Sequence, residues 1–139
     1  MRKSRLIDAN VIIRYLVETP ETINKKLSAI FNFFPKVAAG EIFIEIKELV
    51  LFQVWFVLKS YYKVPGPDIC EALLQFLSFQ GVRMKEKDVV INCLEYLKRN
   101  NTEIVDAYLI VFAQARGDDS IYSFDKGFEK AGLKLISFG

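Results

Sequence analysis

No histidine occurs anywhere in the 139 residues. That absence removes Ser-His and Cys-His nucleophile activation, histidine acid-base work and the ordinary zinc hydrolase ligand sets. Chemistry, if present, must rest on carboxylates, lysine, tyrosine or metal. Cysteine is scarce as well: Cys70 and Cys93 lie on separate apolar helical patterns with no close partner and no second pair. This excludes a disulfide framework and a zinc site, and leaves two buried thiols in a reducing cytoplasm as the expectation. Only four residues are proline, which is not the composition of a disordered or linker-rich chain. An excess of one charge is also missing: 19 Lys and Arg against 17 Asp and Glu leave +2. That is too little to advertise nucleic-acid binding by itself, so any nucleic acid must be held locally. Long apolar runs are lacking too. The greasiest, Leu49 to Leu58, contains Gln53 and falls short of the about 20 residues that span a bilayer. The basic start Met1 to Arg5 precedes an apolar stretch, but Asp8, Asn10 and Arg14 interrupt it before a signal-peptide core forms. The expectation is a soluble cytoplasmic protein, with neither secretion nor a membrane.

What is present is enough apolar material, 52% of the residues, to close one hydrophobic core, and the length is that of one domain, residues 1–139. Ser4 to Ile7 reads as a short strand ending in Asp8, and Ala9 to Val17 as a helix. Pro20 begins a second helix over Glu21 to Phe34, where Ile23, Leu27, Ile30, Phe31 and Phe34 recur at helical spacing. Gly40 punctuates, a strand follows over Glu41 to Ile46, and a helix over Lys47 to Tyr62 is closed by Val64-Pro65-Gly66-Pro67. Asp68 to Phe79 is amphipathic, Val82 to Met84 a short strand, and Lys85 to Arg99 a helix. Thr102 to Arg116 is another helix, stopped at Gly117. Ser120 to Phe124 is a strand, Asp125 to Lys130 a short helix and Leu133 to Ile136 a last strand. Strand and helix alternate with connections too long for hairpins. The expected class is therefore α/β, a central parallel sheet of about four to five strands flanked by helices in three layers.

In open parallel sheets ligands gather at the carboxyl ends of strands, where the following helices begin. Asp8 ends the first strand of this reading and Asp125 the fourth, while Asp106 lies early in the helix before that strand. All three carboxylates converge if those strands flank the point where strand order reverses. Each acid has a plainer reading: Asp8 and Asp125 as helix N-caps, Asp106 as a solvated acid favouring the helix dipole. Against the plain reading of Asp106 stand Ile104, Val105, Ala107, Tyr108, Leu109, Ile110 and Val111, which make its helix apolar nearly all round. A carboxylate there is expected to be buried, and a buried charge needs a partner or a metal.

The combined pattern resembles a known family. Leu6-Ile7-Asp8-Ala9-Asn10-Val11-Ile12-Ile13-Arg14-Tyr15-Leu16 resembles the opening motif of PIN domains of the VapC-type toxin group. Val105-Asp106-Ala107-Tyr108-Leu109 resembles their third acidic motif, and Ile121-Tyr122-Ser123-Phe124-Asp125-Lys126-Gly127-Phe128 their fourth. The resemblance implies a PIN-like fold and a magnesium- or manganese-dependent endoribonuclease, in which Asp8, Asp106 and Asp125 hold Mg²⁺ or Mn²⁺ and an activated water attacks an RNA phosphodiester. It also implies that Asn10 orients the site by hydrogen bonding. Ser123, two residues before Asp125, is a similar candidate and equally a plain hydroxyl at the core edge.

One position departs from the pattern. Where the resembling family carries a glutamate on the helix after the second strand, this chain has Gln53. An amide keeps the shape and a carbonyl oxygen but removes a negative charge, which weakens metal binding and water activation. A weakened or inactive PIN-like module that binds RNA or an antitoxin is therefore the alternative reading. Glu48 lies about 140° around an ideal helix from Gln53 and points elsewhere. Glu103, three residues before Asp106, shares roughly one helix face with it and is the better compensating acid, or else an exposed first-turn acid. Asp118 and Asp119 read as turn residues. A receiver domain fits less well, for want of paired acids after the first strand.

Arg14 and Lys126 are candidates for phosphate contacts and equally ordinary surface charges. Lys98 and Arg99 read as helix-dipole partners. Phe52, Trp55, Phe56, Tyr61 and Tyr62 crowd one helix on more than one face. Core burial explains that excess, and so does a homodimer contact. The resemblance adds a small antitoxin as a protein partner.

Overall fold

Three short strands, β1 (Ser4–Leu6), β2 (Phe43–Glu45) and β3 (Val82–Arg83), lie side by side in that order and all run parallel. They belong to a computed structural model that describes residues 3–139. Met1 and Arg2 of the basic start lie outside the described residues. Contacts divide the chain into two compact units, one ending at Lys87 and one spanning Asp88–Gly139.

Parallel pairing in the first unit demands crossovers, and helices supply them. Helices α1 (Ala9–Val17) and α2 (Ile30–Ala38) connect β1 to β2, and α3 (Glu48–Ser60) and α4 (Gly66–Leu77) connect β2 to β3. Each helix buries a stripe set by its period: Ala9, Ile12 and Ile13 on α1, Leu51, Val54, Trp55 and Leu58 on α3, and Ile69, Cys70, Leu73, Phe76 and Leu77 on α4. Helix α1 packs on both α2 and α3. Tyr15 stacks on Phe34 with ring centres 4.2 Å apart, and Phe34 meets Phe76 edge-on at 5.7 Å. The fully buried Phe34 and Phe76 rings each contribute on the order of 2 kcal/mol. Gly81 lets the chain enter β3, because a Cβ there would sit 2.0 Å from the Ile42 carbonyl oxygen.

The second unit is built from α5 (Lys87–Arg99, from its second residue on), α6 (Ile104–Ala115), β4 (Ser120–Ile121), α7 (Gly127–Lys130) and β5 (Lys134–Leu135). Strands β4 and β5 pair in parallel, Ser120 opposite Lys134. Ile110, Phe128 and Leu133 form its buried centre, with Tyr96, Ile121 and Leu135 packed against it. Gly117, at φ 75°, ends α6 as expected. The α/β class with parallel strands and flanking helices holds. Among the described residues its five strands form a ladder of three and a ladder of two.

Several boundaries differ from expectation, and three of them have clear local reasons. The second helix begins at Ile30, past a 3₁₀ turn at Lys25–Leu27. Thr19 and Thr22 exchange hydrogen bonds, Asn24 accepts from the Lys26 N–H and Ser28 donates to the Lys25 carbonyl. These side chains compete for the backbone groups a helix would use. The Val64-Pro65-Gly66-Pro67 stretch does end α3, yet it also opens α4, because proline in a first turn sacrifices no needed N–H. Strand β4 stops at Ile121 instead of Phe124, since Ser123 and Asp125 already turn the chain toward α7. Cys70 and Cys93 are buried thiols, and among the described residues no helix is long and apolar enough to cross a membrane.

Candidate active site

Asp106 and Asp125 line one pocket of about 340 Å³ in the second unit, together with Asn100, Asn101, Thr102 and Lys130. Asp106 reaches it from the first turn of α6, where its charge also suits the helix dipole. Asp125 reaches it from the loop between β4 and α7. That loop is held by its own polar groups: the Asp125 N–H donates to Ser123 Oγ at 2.9 Å, and the Gly127 N–H donates to Asp125 Oδ1 at 2.8 Å. A Cβ at Gly127 would lie 3.0 Å from the same oxygen, so a side chain there would press the carboxylate aside by a few tenths of an ångström. The plainer reading of Asp125 as a helix N-cap is thus partly realised: its oxygen accepts a backbone N–H at the start of α7, although the N-cap position itself is Lys126. A carboxylate offers about four lone-pair sites, so one backbone bond leaves most of its acceptor capacity.

Asp106 is half-buried, not enclosed. The apolar surround on α6 misleads here, because Val105 and Leu109 are themselves 49% and 41% exposed. Glu103 is the N-cap of α6, extended and exposed, so it lies before the helix instead of on a shared face with Asp106. Lys126 is exposed beside Asp125. The polar stretch Asn100-Asn101-Thr102 escaped sequence reasoning, although a run of such residues between two helices is a loop signal. Asp118 precedes β4 and accepts from the Ser120 hydroxyl and, at 3.2 Å, from its N–H. Those bonds, with Arg116 nearby, hold its carboxyl below the ordinary value.

In the first unit Asp8 occupies the N-cap of α1 with extended backbone, yet its side chain makes no capping bond, and it is exposed. The carboxylate is therefore not consumed by the role that would explain it most simply. Asn10 is exposed in the first turn of the same helix, and Arg14 is half-buried in its last turn, where a cation is favoured. Gln53 is exposed midway along α3, flanked on its face by exposed Leu49 and Phe56. Trp55 on the opposite face is core, so the aromatic excess of α3 divides between a buried side and an open one.

The residues from 5 to 134 match the family model of the PIN domain. This chain belongs to the PIN domain family. The match spans Asp8, Gln53, Asp106 and Asp125 alike. Among solved structures, this PIN domain is similar to Mycobacterium tuberculosis VapC20, a sarcin-ricin loop cleaving toxin, at 19% identity over 96% of this chain and 98% of that one, with a TM-score of 0.40. No curated protein matches it.

The donors around the pocket suit a hard divalent cation. Mg²⁺ is usually held through one or two carboxylates while keeping several waters, and Asp106, Asp125 and the neighbouring amide and hydroxyl oxygens are all hard donors. Among the described residues no three Asp, Glu, Cys or His side chains gather closely enough to enclose a metal by themselves.

Proposed function

We propose that this PIN domain, residues 1–139 acting as one domain, is a divalent-metal-dependent endoribonuclease of toxin type. The observation that carries the reading is the meeting of Asp106 and Asp125, distant in sequence, around one pocket. Asp106 and Asp125 would hold Mg²⁺ or Mn²⁺, and Asp8, on the motif it heads, is the further catalytic carboxylate. Such an ion, when bound, supplies charge neutralisation at a phosphoryl oxygen and an activated water. The chain's own residues orient and bind. Ser123 Oγ fixes the Asp125 backbone and the Gly127 N–H fixes Oδ1. Asn10 would orient Asp8. Lys126 and Arg14 are the cations for RNA phosphates. A cytoplasmic setting, a homodimer and a cognate antitoxin are what the toxin reading entails.

Gln53 favours the second reading, a weakened or inactive module that binds RNA or an antitoxin. Cleavage of a structured RNA with Mn²⁺ or Mg²⁺ separates the two. The nuclease reading expects activity in the parent, loss in Asp8→Asn, and a rise of about tenfold in Gln53→Glu as the missing charge returns. Identical behaviour of parent and both variants rejects it.

A further inference from the structure

On the segment that leads into Asp125, and on the C-terminal residues packed against it, stand three aromatic rings that core packing does not explain. Phe124 is 88% exposed, Tyr122 65% and Phe138 62%. They are not scattered. Phe124 and Phe138 stack with centroids 4.9 Å apart and planes 26° from parallel, and Tyr122 meets Phe138 at 5.5 Å. Placing three large rings in water together is costly unless something covers them, since burying each would contribute favourably. Phe124 is bonded directly to Asp125, and exposed Lys126 follows.

We propose that Tyr122, Phe124 and Phe138 form a stacking platform for an unpaired RNA base, placed so that the adjoining phosphate comes to Asp125 and Lys126. The inference rests on the nuclease reading and adds to it a surface that holds a base next to the cleavage site. The local chemistry favours this occupant over an apolar peptide. Two of the rings stack nearly parallel, exposed Lys126 two residues after Phe124 offers a cation for the phosphate, and Phe124 is joined in the chain to Asp125. Base stacking on aromatics is tolerant of sequence but requires a splayed base, which a duplex withholds.

The test is binding of the full chain to labelled single-stranded oligoadenylate, in chelator so that nothing is cut, against the same strand annealed to oligouridylate. Phe124→Ala and Phe138→Ala are expected to weaken single-strand binding roughly tenfold to a hundredfold. Phe124→Leu should weaken it as much and Phe124→Trp should preserve it, while duplex binding stays constant. Parental affinity in Phe124→Ala, or a leucine as good as phenylalanine, overturns the platform. So does a change of oligomeric state in Phe124→Ala with RNA affinity intact, which would assign the rings to a second copy. Cleavage of structured RNA in Mn²⁺ by the parent keeps the two ideas apart. Cleavage with unaltered Phe124→Ala binding sinks the platform alone. No cleavage with weakened Phe124→Ala binding sinks the nuclease reading alone.

Discussion

The two units use aromatic residues in opposite ways. In the first, Tyr15, Phe34 and Phe76 pack ring against ring around a buried Phe34 under a three-stranded ladder. In the second, Tyr122, Phe124 and Phe138 associate in the open, and the buried cluster of Ile110, Phe128 and Leu133 holds a single aromatic ring. The contrast teaches where this chain keeps its reserve of stability and where it keeps its exposed polar groups. The paired carboxylates belong to the unit with fewer buried apolar residues, Asp106 on the first turn of α6 and Asp125 on a loop tied by two local hydrogen bonds. Functional side chains commonly ride on loops positioned by packed elements nearby.

The sharpest way to test the contrast is to hollow each core. Phe34→Ala is expected to cost about 4 kcal/mol and Phe128→Ala about 3 kcal/mol, the second being somewhat less enclosed. Denaturant unfolding measures the totals, and hydrogen exchange reads which amides lose protection: those before Lys87 in the first variant, those after it in the second. Equal loss across both units in both variants would erase the distinction.

Next comes chemistry without destabilisation. Asp106→Asn and Asp125→Asn should each lower metal-dependent RNA cleavage about a hundredfold or more. Their unfolding midpoints should move little, as neither side chain is buried. A large loss of stability with proportionate loss of activity would make these acids structural.

A smaller effect is expected at Gly127. Alanine there crowds Asp125 Oδ1 while improving helix propensity, so cleavage should fall about tenfold with stability unchanged or raised by a few tenths of a kcal/mol. Activity equal to the parent would show that the carboxylate has room to shift.

The smallest effect concerns pH. The carboxyl of Asp118 is held below its ordinary value of 3.8 by the Ser120 hydroxyl and N–H. A depressed acid contributes stability above its unfolded value and loses it as pH falls through the folded one. The contribution of Asp118 should therefore disappear only below about 3.8. Ser120→Ala should remove the hydroxyl's share of the shift and keep that of the N–H, seen as a rise in the Asp118 titration midpoint by NMR. An unmoved midpoint would discard the hydrogen-bond explanation.

Much of the architecture was legible because period and punctuation are local. Helix α1 occupies the expected Ala9–Val17, and Gly117 ends α6 where a left-handed residue was expected. The errors are instructive for the same reason. Helix α2 starts late because Thr19, Thr22, Asn24 and Ser28 bind nearby backbone groups, a competition that helical spacing does not register. Asp106 was expected to be enclosed by its apolar neighbours, but apolar residues on all sides of a helix do not reveal which sides are covered. The Asn100-Asn101-Thr102 side of the pocket was missed because loop polarity is ordinary until a carboxylate faces it.

Read alone, the amino-acid order determined the alternation of strand and helix, the exclusion of histidine chemistry, and the three acidic motifs, all of which depend on residue identity and near spacing. Only tertiary structure decided that Asp106 and Asp125 share a pocket, that Asp8 is left uncapped by its own helix, and that Phe124 faces water while Phe128, a few residues on, does not. The physical reason is that propensity acts along the chain over a few residues. Proximity and exposure are properties of surfaces brought together by burial, and no single segment contains them.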